Sequence, residues 1–108
     1  MTSNTDTVLI VGGGPVGLVL ASFLSLHGIP SSVFERSEGI PKDLRASTFH
    51  PPTLDMLEQI GVTKTLVNQG LTCPTWQFRD RQEGEVATID VSLLKNETTH
   101  PYRLQCEQ

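Results

Sequence analysis

The chain has 108 residues, which leaves room for one small domain or part of a larger one, because domains most often contain roughly 100 to 150 residues. Charged residues make up 19% and hydrophobic residues 37%, proportions that exclude a disordered or collagen-like chain. The formal net charge of -4 would repel nucleic acid and anionic membrane surfaces. We therefore expect a globular protein with no nucleic-acid partner.

The first part of the sequence predicts a strand, a helix and a second strand. Residues 8–11 form a continuous apolar run that glycines stop, which is typical of a strand buried on both faces of a parallel sheet. Residues 15–27 are nearly all apolar and precede Gly28, so they predict a helix that is covered nearly all round. Residues 32–35 predict the strand that completes a βαβ unit. The fold class is therefore α/β, with a Rossmann-like dinucleotide-binding βαβ unit.

The uncharged stretch at residues 8–26 does not predict a membrane span or a secretory signal. Four glycines and a proline interrupt the apolar run, and no Lys or Arg precedes Arg36, so the positive segment of a signal peptide is missing. We expect a cytoplasmic protein with no membrane span.

Beyond a loop at residues 37–47, the sequence predicts two helices. The first begins at the Pro-Pro pair of residues 51–52, runs through residue 60 and stops at Gly61. The second covers about residues 63–68 and ends at Gly70.

The last predicted element is a β-hairpin. Trp76 and Phe78 alternate with polar residues, residues 81–84 are suited to a turn, and residues 86–91 can return as the partner strand. After residue 91 the pattern predicts neither a helix nor a closing strand.

A glycine-rich motif links the first predicted strand to the first predicted helix. Gly12, Gly14 and Gly17 form G-x-G-x-x-G, in which the first glycine permits a tight turn, the second admits a diphosphate and the third allows close helix packing. The helix start favours a phosphate by about 0.3 to 1 kcal/mol. The alternative interpretation is a glycine-rich turn that needs positive φ.

Glu35 stands where a dinucleotide site needs an acceptor for the ribose hydroxyls, at the end of the second strand. An acid there disfavours a ribose 2′-phosphate, so the bound nucleotide is not the phosphorylated nicotinamide form. Three basic residues follow, Arg36, Lys42 and Arg45, and Arg45 could reach a pyrophosphate. The alternatives are an exposed charge at a strand end for Glu35 and a solvated loop for the basic residues.

Neither the cysteines nor the histidines form a metal-binding pattern. Cys73 and Cys106 lack CxxC or zinc-ligand spacing and are interpreted as reduced and structural. His27, His50 and His100 stand alone in the sequence and are interpreted as surface or capping residues. We therefore predict no metal site.

Two segments, "TVLIVGGGPVGLVLASFLSLHGIPSSVFER" and "LRASTFHPPTLDMLEQIGV", together resemble the amino-terminal part of the FAD-dependent aromatic hydroxylases. These are the single-component flavoprotein monooxygenases related to para-hydroxybenzoate hydroxylase. The resemblance extends over most of residues 7–70 and resumes at "RLQCEQ" near the end. The combination of Glu35-Arg36, Arg45-Ala46 and the helix ending in "MLEQIGV" is its most specific part.

The resemblance implies a set of FAD-binding residues. The glycine loop would hold the pyrophosphate and Glu35 the adenosine ribose, while Arg36 would lie beside the adenine end. Arg45 would contact the pyrophosphate and ribityl chain, and a glutamine would contact the FAD, with Gln108 preferred to Gln105. No catalytic side chain is assigned. The full set is Gly12, Gly14, Pro15, Val16, Gly17, Glu35, Arg36, Arg45 and Gln108.

The resemblance also implies a function for a longer parent protein. That protein would hydroxylate an organic small molecule, which we expect to be aromatic. It would use dioxygen and electrons from NADH or NADPH. The Asp-Gly and Gly-Asp motifs that complete the FAD site in this family do not occur here. We therefore expect residues 1–108 to be the truncated amino-terminal portion of an FAD-binding domain, whose partner is the remainder of the parent chain.

Two alternatives remain open. The parent could be an NAD-linked or another flavin-dependent oxidoreductase, because Glu35 suits NAD equally well. Alternatively, the 108 residues could be an isolated nucleotide-binding fragment without turnover. The basis is that the site is incomplete and that the unpaired edges of an incomplete sheet tend to pair with another strand.

Overall fold

The structure, a computed structural model, describes residues 6–43 and 45–107. The chain forms two compact units that divide between residues 44 and 45. Each unit is described separately below.

The first unit is the predicted strand–helix–strand. Strand β1 (Val8–Val11) is followed by helix α1 (Pro15–Leu26) and strand β2 (Ser31–Phe34). The two strands are parallel, with Val8 opposite Ser31 and Val11 opposite Phe34. Gly28 follows the helix with a φ of 70°, a conformation that glycine adopts without strain. The predicted α/β fold class and βαβ unit are confirmed.

The sequence predicted that β1 and α1 are almost completely buried, and this prediction is wrong for the described chain. In β1 only Ile10 is buried, and Val11 is 90% exposed. Helix α1 has no buried residue, and Val16 is 84% exposed. In the described first unit the sheet has two strands and α1 is the only helix, so too few elements are present to cover both faces of the strand or all sides of the helix.

The second unit contains two helices and five strands among its described residues. The helices lie between the first two strands, and a short 3-10 helix, Val91–Leu94, precedes the last strand. The elements are β3 (Thr48–Phe49), α2 (Pro51–Glu58), α3 (Thr63–Gln69), β4 (Leu71–Cys73), β5 (Thr75–Asp80), β6 (Gly84–Asp90) and β7 (Arg103–Gln105).

Helices α2 and α3 occupy the two predicted positions. Helix α2 ends at Glu58, two residues before the predicted end, and the chain then turns to Gly61, which has a φ of 75°. The hydroxyl of Thr63, at the start of α3, is buried and donates a hydrogen bond of 2.5 Å to the carbonyl of Leu54. This bond ties the two helices together.

The hairpin is also confirmed, because β5 and β6 are antiparallel with Trp76 opposite Ile89. In contrast, the expectation that no strand follows residue 91 is wrong. Strand β7 pairs antiparallel with both β3 and β4 and lies between them in a three-stranded sheet. These strands are two and three residues long, too short to show alternation in the sequence.

The core of the second unit lies between the helices and this small sheet. Leu54 of α2 and Leu104 of β7 are fully buried, and Leu57 is 5% exposed. Because side chains alternate along a strand, the neighbours of Leu104, Arg103 and Gln105, lie on the other face of the sheet. Among the described residues, no helix has the length and apolar character needed to span a membrane.

We predict that Gly70→Ala destabilises the second unit. A Cβ at position 70 would lie 2.6 Å from the carbonyl oxygen of Gln105 and 2.9 Å from Leu104 Cδ1. The backbone must shift to relieve this overlap, which costs about 1 to 3 kcal/mol in the free energy of unfolding, measured by urea denaturation. The control is Gly14→Ala, because a Cβ there meets no atom within 4 Å. Equal stabilities of the two variants would contradict the prediction.

Candidate cofactor site

The glycine loop joins the end of β1 to the start of α1. The backbone N–H of Gly12 donates a 2.8 Å hydrogen bond to the carbonyl of Phe34, which extends the pairing of the two strands by one residue. Gly12 has a φ of 111°, so the chain turns sharply at this point. Gly14 is the N-cap of α1 and accepts a hydrogen bond of 3.0 Å from the N–H of Leu18.

The three motif glycines meet different steric demands. A Cβ at Gly17 would overlap the carbonyl oxygen of Gly12 and come within 3.3 Å of Ile10 Cγ2, so only glycine lets the helix approach this strand so closely. A Cβ at Gly14 would meet nothing within 4 Å. The backbone at Gly14 therefore has open space beside it, as the approach of a diphosphate requires.

The carboxylate of Glu35 holds this loop through backbone hydrogen bonds. Its Oε2 accepts a 2.7 Å bond from the N–H of Gly13, and its Oε1 accepts a 2.9 Å bond from the N–H of Ser37. The bonds from Ser37 and then Gly13 lower the pKa of Glu35 because they stabilise the charged form. The predicted juxtaposition of the loop and the acid is therefore present.

The residues of this unit fit the diphosphate and ribose of a dinucleotide. No side chain caps the N-terminus of α1, no acidic residue lies in its first turn, and Pro15 occupies the position where an N–H is not needed. The free amides at this helix start can bind an anion. A carboxylate offers about four acceptor positions, so Glu35 can accept ribose hydroxyls while it keeps both amide bonds.

The cofactor-binding role of every residue in the predicted set stays a prediction. Val16 lies in the first turn of α1 with an exposed side chain, and Arg36 is exposed directly after Glu35. Arg45 is the first residue of the second unit. Gln108 lies outside the described residues.

Gln105, the second choice for the glutamine that contacts the cofactor, already has protein partners. Its side-chain oxygen accepts a 2.9 Å hydrogen bond from the hydroxyl of Thr48, and its amide nitrogen donates a 3.1 Å bond to the hydroxyl of Ser47. Both ends of this amide are engaged within the chain, which favours Gln108 for the proposed contact.

The interpretation of all three histidines as surface or capping residues is wrong for His100. His27 and His50 are the C-cap of α1 and the N-cap of α2, whereas His100 is buried and its Nδ1 lies 2.7 Å from Asp55 Oδ1. The hydrogen bonds to Asp55, from His100 first, lower the pKa of this carboxyl. Because 45 residues separate the pair in the chain, sequence spacing gave no signal for it.

Three side chains that could bind a metal ion lie close together, and two of them are Asp55 and His100. Ligand atoms of Asp55, Glu58 and His100 lie within 4.8 Å of one another. The Asp55 carboxylate also accepts a 2.6 Å hydrogen bond from the hydroxyl of Thr98. These bonds attach the segment before β7 to helix α2, so Asp55 has a structural role.

A group of side chains surrounds Trp76, and the sequence did not predict it. The guanidinium carbon of Arg103 lies 4.9 Å from the centre of the indole ring. The rings of His50 and Phe78 make edge contacts with the same indole, at centroid distances of 6.0 and 6.3 Å. The alternation of Trp76 and Phe78 predicted the strand, but no pattern placed Arg103 beside it.

Comparison with known proteins shows which family this chain matches. Residues 5–108 match the family described as "FAD binding domain". The chain is 35% identical over 99 residues to the para-nitrophenol 4-monooxygenase of Pseudomonas sp. strain WBC-3, covering 92% of this chain and 25% of the relative. It is 43% identical over 100 residues to an uncharacterised aromatic compound monooxygenase of Bacillus subtilis, covering 93% of this chain and 19% of the relative.

Solved structures give the same result. The crystal structure of a p-nitrophenol 4-monooxygenase from Pseudomonas putida superposes with a TM-score of 0.84 at 31% identity, covering 95% of this chain and 27% of that one. The resemblance to flavoprotein monooxygenases inferred from the sequence is therefore confirmed. The chain spans about a fifth to a quarter of the length of these relatives.

We predict that Glu35 titrates below the usual glutamate value of 4.5. A carboxyl whose pKa is lowered by folding stabilises the fold above its unfolded pKa, and this contribution disappears as the pH falls through the lowered folded value. The amide chemical shifts of Gly13 and Ser37, followed by NMR, should therefore move together with a midpoint below 4.5. In Glu35→Gln this shared titration should vanish. A midpoint at or above the usual value would contradict the observed bonds.

Proposed function

The chain belongs to the FAD-binding domain family, and from this premise we propose that it forms the cofactor-binding beginning of a flavin-dependent monooxygenase for an aromatic substrate. The observation that carries the proposal is the Glu35 carboxylate bonded to Gly13 beside the open N-terminus of α1. Relatives named para-nitrophenol and pentachlorophenol 4-monooxygenase support an aromatic substrate. Residues 1–108 would be the amino-terminal portion of an FAD-binding domain.

The proposed roles of the residues follow from their chemistry. The first-turn amides of α1, including those of Val16 and Gly17, bind the diphosphate, and the bare backbone of Gly14 lets it approach. The free acceptor positions of Glu35 bind the ribose hydroxyls. Arg36 lies beside the adenine end, where its positive charge offsets the negative charge of Glu35.

Arg45 and Gln108 are two further cofactor-binding residues that the resemblance implies. A guanidinium suits the pyrophosphate because its planar set of N–H donors matches phosphate oxygens and keeps its charge at every working pH. A neutral amide such as Gln108 can donate and accept hydrogen bonds along the polar edge of the cofactor. These assignments rest on the resemblance to the family.

The chemistry that FAD supplies when bound is electron transfer from NADH or NADPH and activation of dioxygen for hydroxylation of the substrate. The described residues bind and orient, and none of them is assigned a proton-transfer step. A cytoplasmic location also remains a prediction of the sequence.

Purification of the protein from its complete coding sequence tests this function against its alternatives. We predict a yellow protein whose oxidation of NADH or NADPH is stimulated by 4-nitrophenol. One oxygen atom from isotopically labelled dioxygen should enter the organic product, identified by mass spectrometry, and nitrite is released if the attack is at the carbon that bears the nitro group. A colourless protein that binds NAD would favour an NAD-linked oxidoreductase, while a flavoprotein without oxygen transfer would favour another flavin-dependent class. Residues 1–108 alone, supplied with FAD, should not turn over if they act only as a nucleotide-binding fragment.

Glu35→Ala should weaken FAD binding in the same protein. Loss of the bonds from the carboxylate to ribose costs about 1.5 to 3 kcal/mol, roughly ten- to a hundredfold in the dissociation constant, measured by fluorescence titration of the apoprotein. The matched control is Glu38→Ala, because Glu38 is an exposed acid three residues away. Equal FAD affinities for the two variants would remove Glu35 from the site.

A further inference from the structure

The imidazole of His100 is buried and held in one orientation, although the proposed function does not use it. Its side chain is only 10% exposed, and its Nδ1 lies 2.7 Å from Asp55 Oδ1. An ionised carboxylate can only accept hydrogen bonds, so Nδ1 carries the proton and donates it to Asp55. The backbone N–H of His100 also donates a 3.0 Å bond to the hydroxyl of Thr98, which itself donates to Asp55. These bonds fix both the ring and its tautomer.

The second ring nitrogen of His100 is left with a free lone pair. Within the part of the chain that the structure describes, Nε2 makes no hydrogen bond. His100 is part of the wall of a cavity of about 460 Å³ beside α2 and α3. A histidine that binds a metal ion usually has this arrangement, in which one nitrogen donates to a carboxylate and the other is the ligand.

Glu58 brings a second ligand to the same cavity. It lies three residues after Asp55 on α2, so the two carboxylates lie on the same face of the helix. Glu58 is exposed, lines the cavity and makes no side-chain hydrogen bond or ion pair among the described residues. Burial first, and then the charge of Glu58, raises the pKa of Tyr102, another residue of the cavity wall. A carboxylate and an imidazole nitrogen are therefore both available at this cavity.

The charges and donor atoms of this group indicate which kind of ion would bind. One ligand atom from each of Asp55, Glu58 and His100 lies within 4.8 Å of the others. The two carboxylates outnumber the ammonium of Lys64, which also lines the cavity and opposes a cation. An imidazole nitrogen combined with carboxylate oxygen suits Zn²⁺ and related transition metals, whereas Ca²⁺ prefers oxygen ligands alone.

We propose that Glu58 and His100 bind a divalent transition-metal ion. His100 Nε2 and the Glu58 carboxylate are the protein ligands, and water in the cavity supplies the remaining ones. Asp55 is a positioning residue, because its bond to Nδ1 holds the lone pair of Nε2 in place. The ion would connect α2 to the segment before β7. This site goes beyond the proposed function and does not depend on FAD. It also departs from the sequence prediction of no metal site, because its ligands are distant in the chain.

A titration with Zn²⁺ in competition with a chelating indicator tests the site. It uses the protein from the complete coding sequence, with whatever cofactor that protein holds, and Ca²⁺ is the comparison ion. The variants are His100→Gln and Glu58→Gln, which remove the ligands, and Asp55→Asn, which removes the positioning carboxylate. The matched controls are His27→Gln and Glu97→Gln, because both residues are exposed and neither lines the cavity.

The unaltered protein and both controls should bind Zn²⁺ at this site with the same affinity, and more tightly than Ca²⁺. Asp55→Asn should raise the dissociation constant for Zn²⁺ by about ten- to a hundredfold, and loss of either ligand should raise it at least as much. Absence of Zn²⁺ binding by the unaltered protein would overturn the proposal. Equally tight binding of Ca²⁺ would also overturn it, because the imidazole would then contribute nothing.

The Glu58→Gln variant keeps the test valid if the changes at Asp55 and His100 prevent folding. Glu58 is exposed and makes no side-chain hydrogen bond among the described residues, so its replacement should leave the fold intact. Zn²⁺ binding that is unchanged in Glu58→Gln would overturn the proposal. The flavin spectrum separates this test from that of the proposed function. A yellow protein that does not bind Zn²⁺ refutes the metal site alone, whereas a Zn²⁺-binding protein without flavin refutes only the proposed function.

Discussion

The bond between the Glu35 carboxylate and the amide of Gly13 is the interaction on which the rest of the site depends. It joins the end of β2 to the loop between β1 and α1, so an acid lies beside a loop amide that is 22 residues away in the chain. A carboxylate near a diphosphate would ordinarily repel it. Here two backbone N–H groups stabilise its charge and fix the orientation of the carboxylate beside the loop.

The second unit is organised around β7. Leu104 faces the fully buried core with Leu54, while Arg103 and Gln105 occupy the opposite face. The same three-residue strand thus anchors the helices on one side and presents polar groups on the other. Gly70 has no space for a side chain, because its backbone passes directly beside Gln105 and Leu104 of this strand. It also places a cation next to the aromatic face of the hairpin.

The parts of the fold that the sequence predicted correctly are those with local signals. The glycine loop, the proline at the start of α1 and the alternation of Trp76 and Phe78 each act within a few residues, so their consequences are visible in the sequence. Strand β7 could not be predicted, because its partners are distant in the chain and its three residues show no period. The Asp55–His100 bond and the Arg103–Trp76 contact depend on the same long-range pairing. Burial of β1 was overestimated because apolar composition does not reveal how many elements cover it.

A crystal structure of the protein from the complete coding sequence, grown with FAD, tests the central claim most directly. The account predicts that the diphosphate lies against the first amides of α1 and that a ribose hydroxyl bonds to Glu35, which keeps its contact with Gly13. A cofactor bound elsewhere, or a Glu35 carboxylate turned away from both the loop and the ribose, would contradict it.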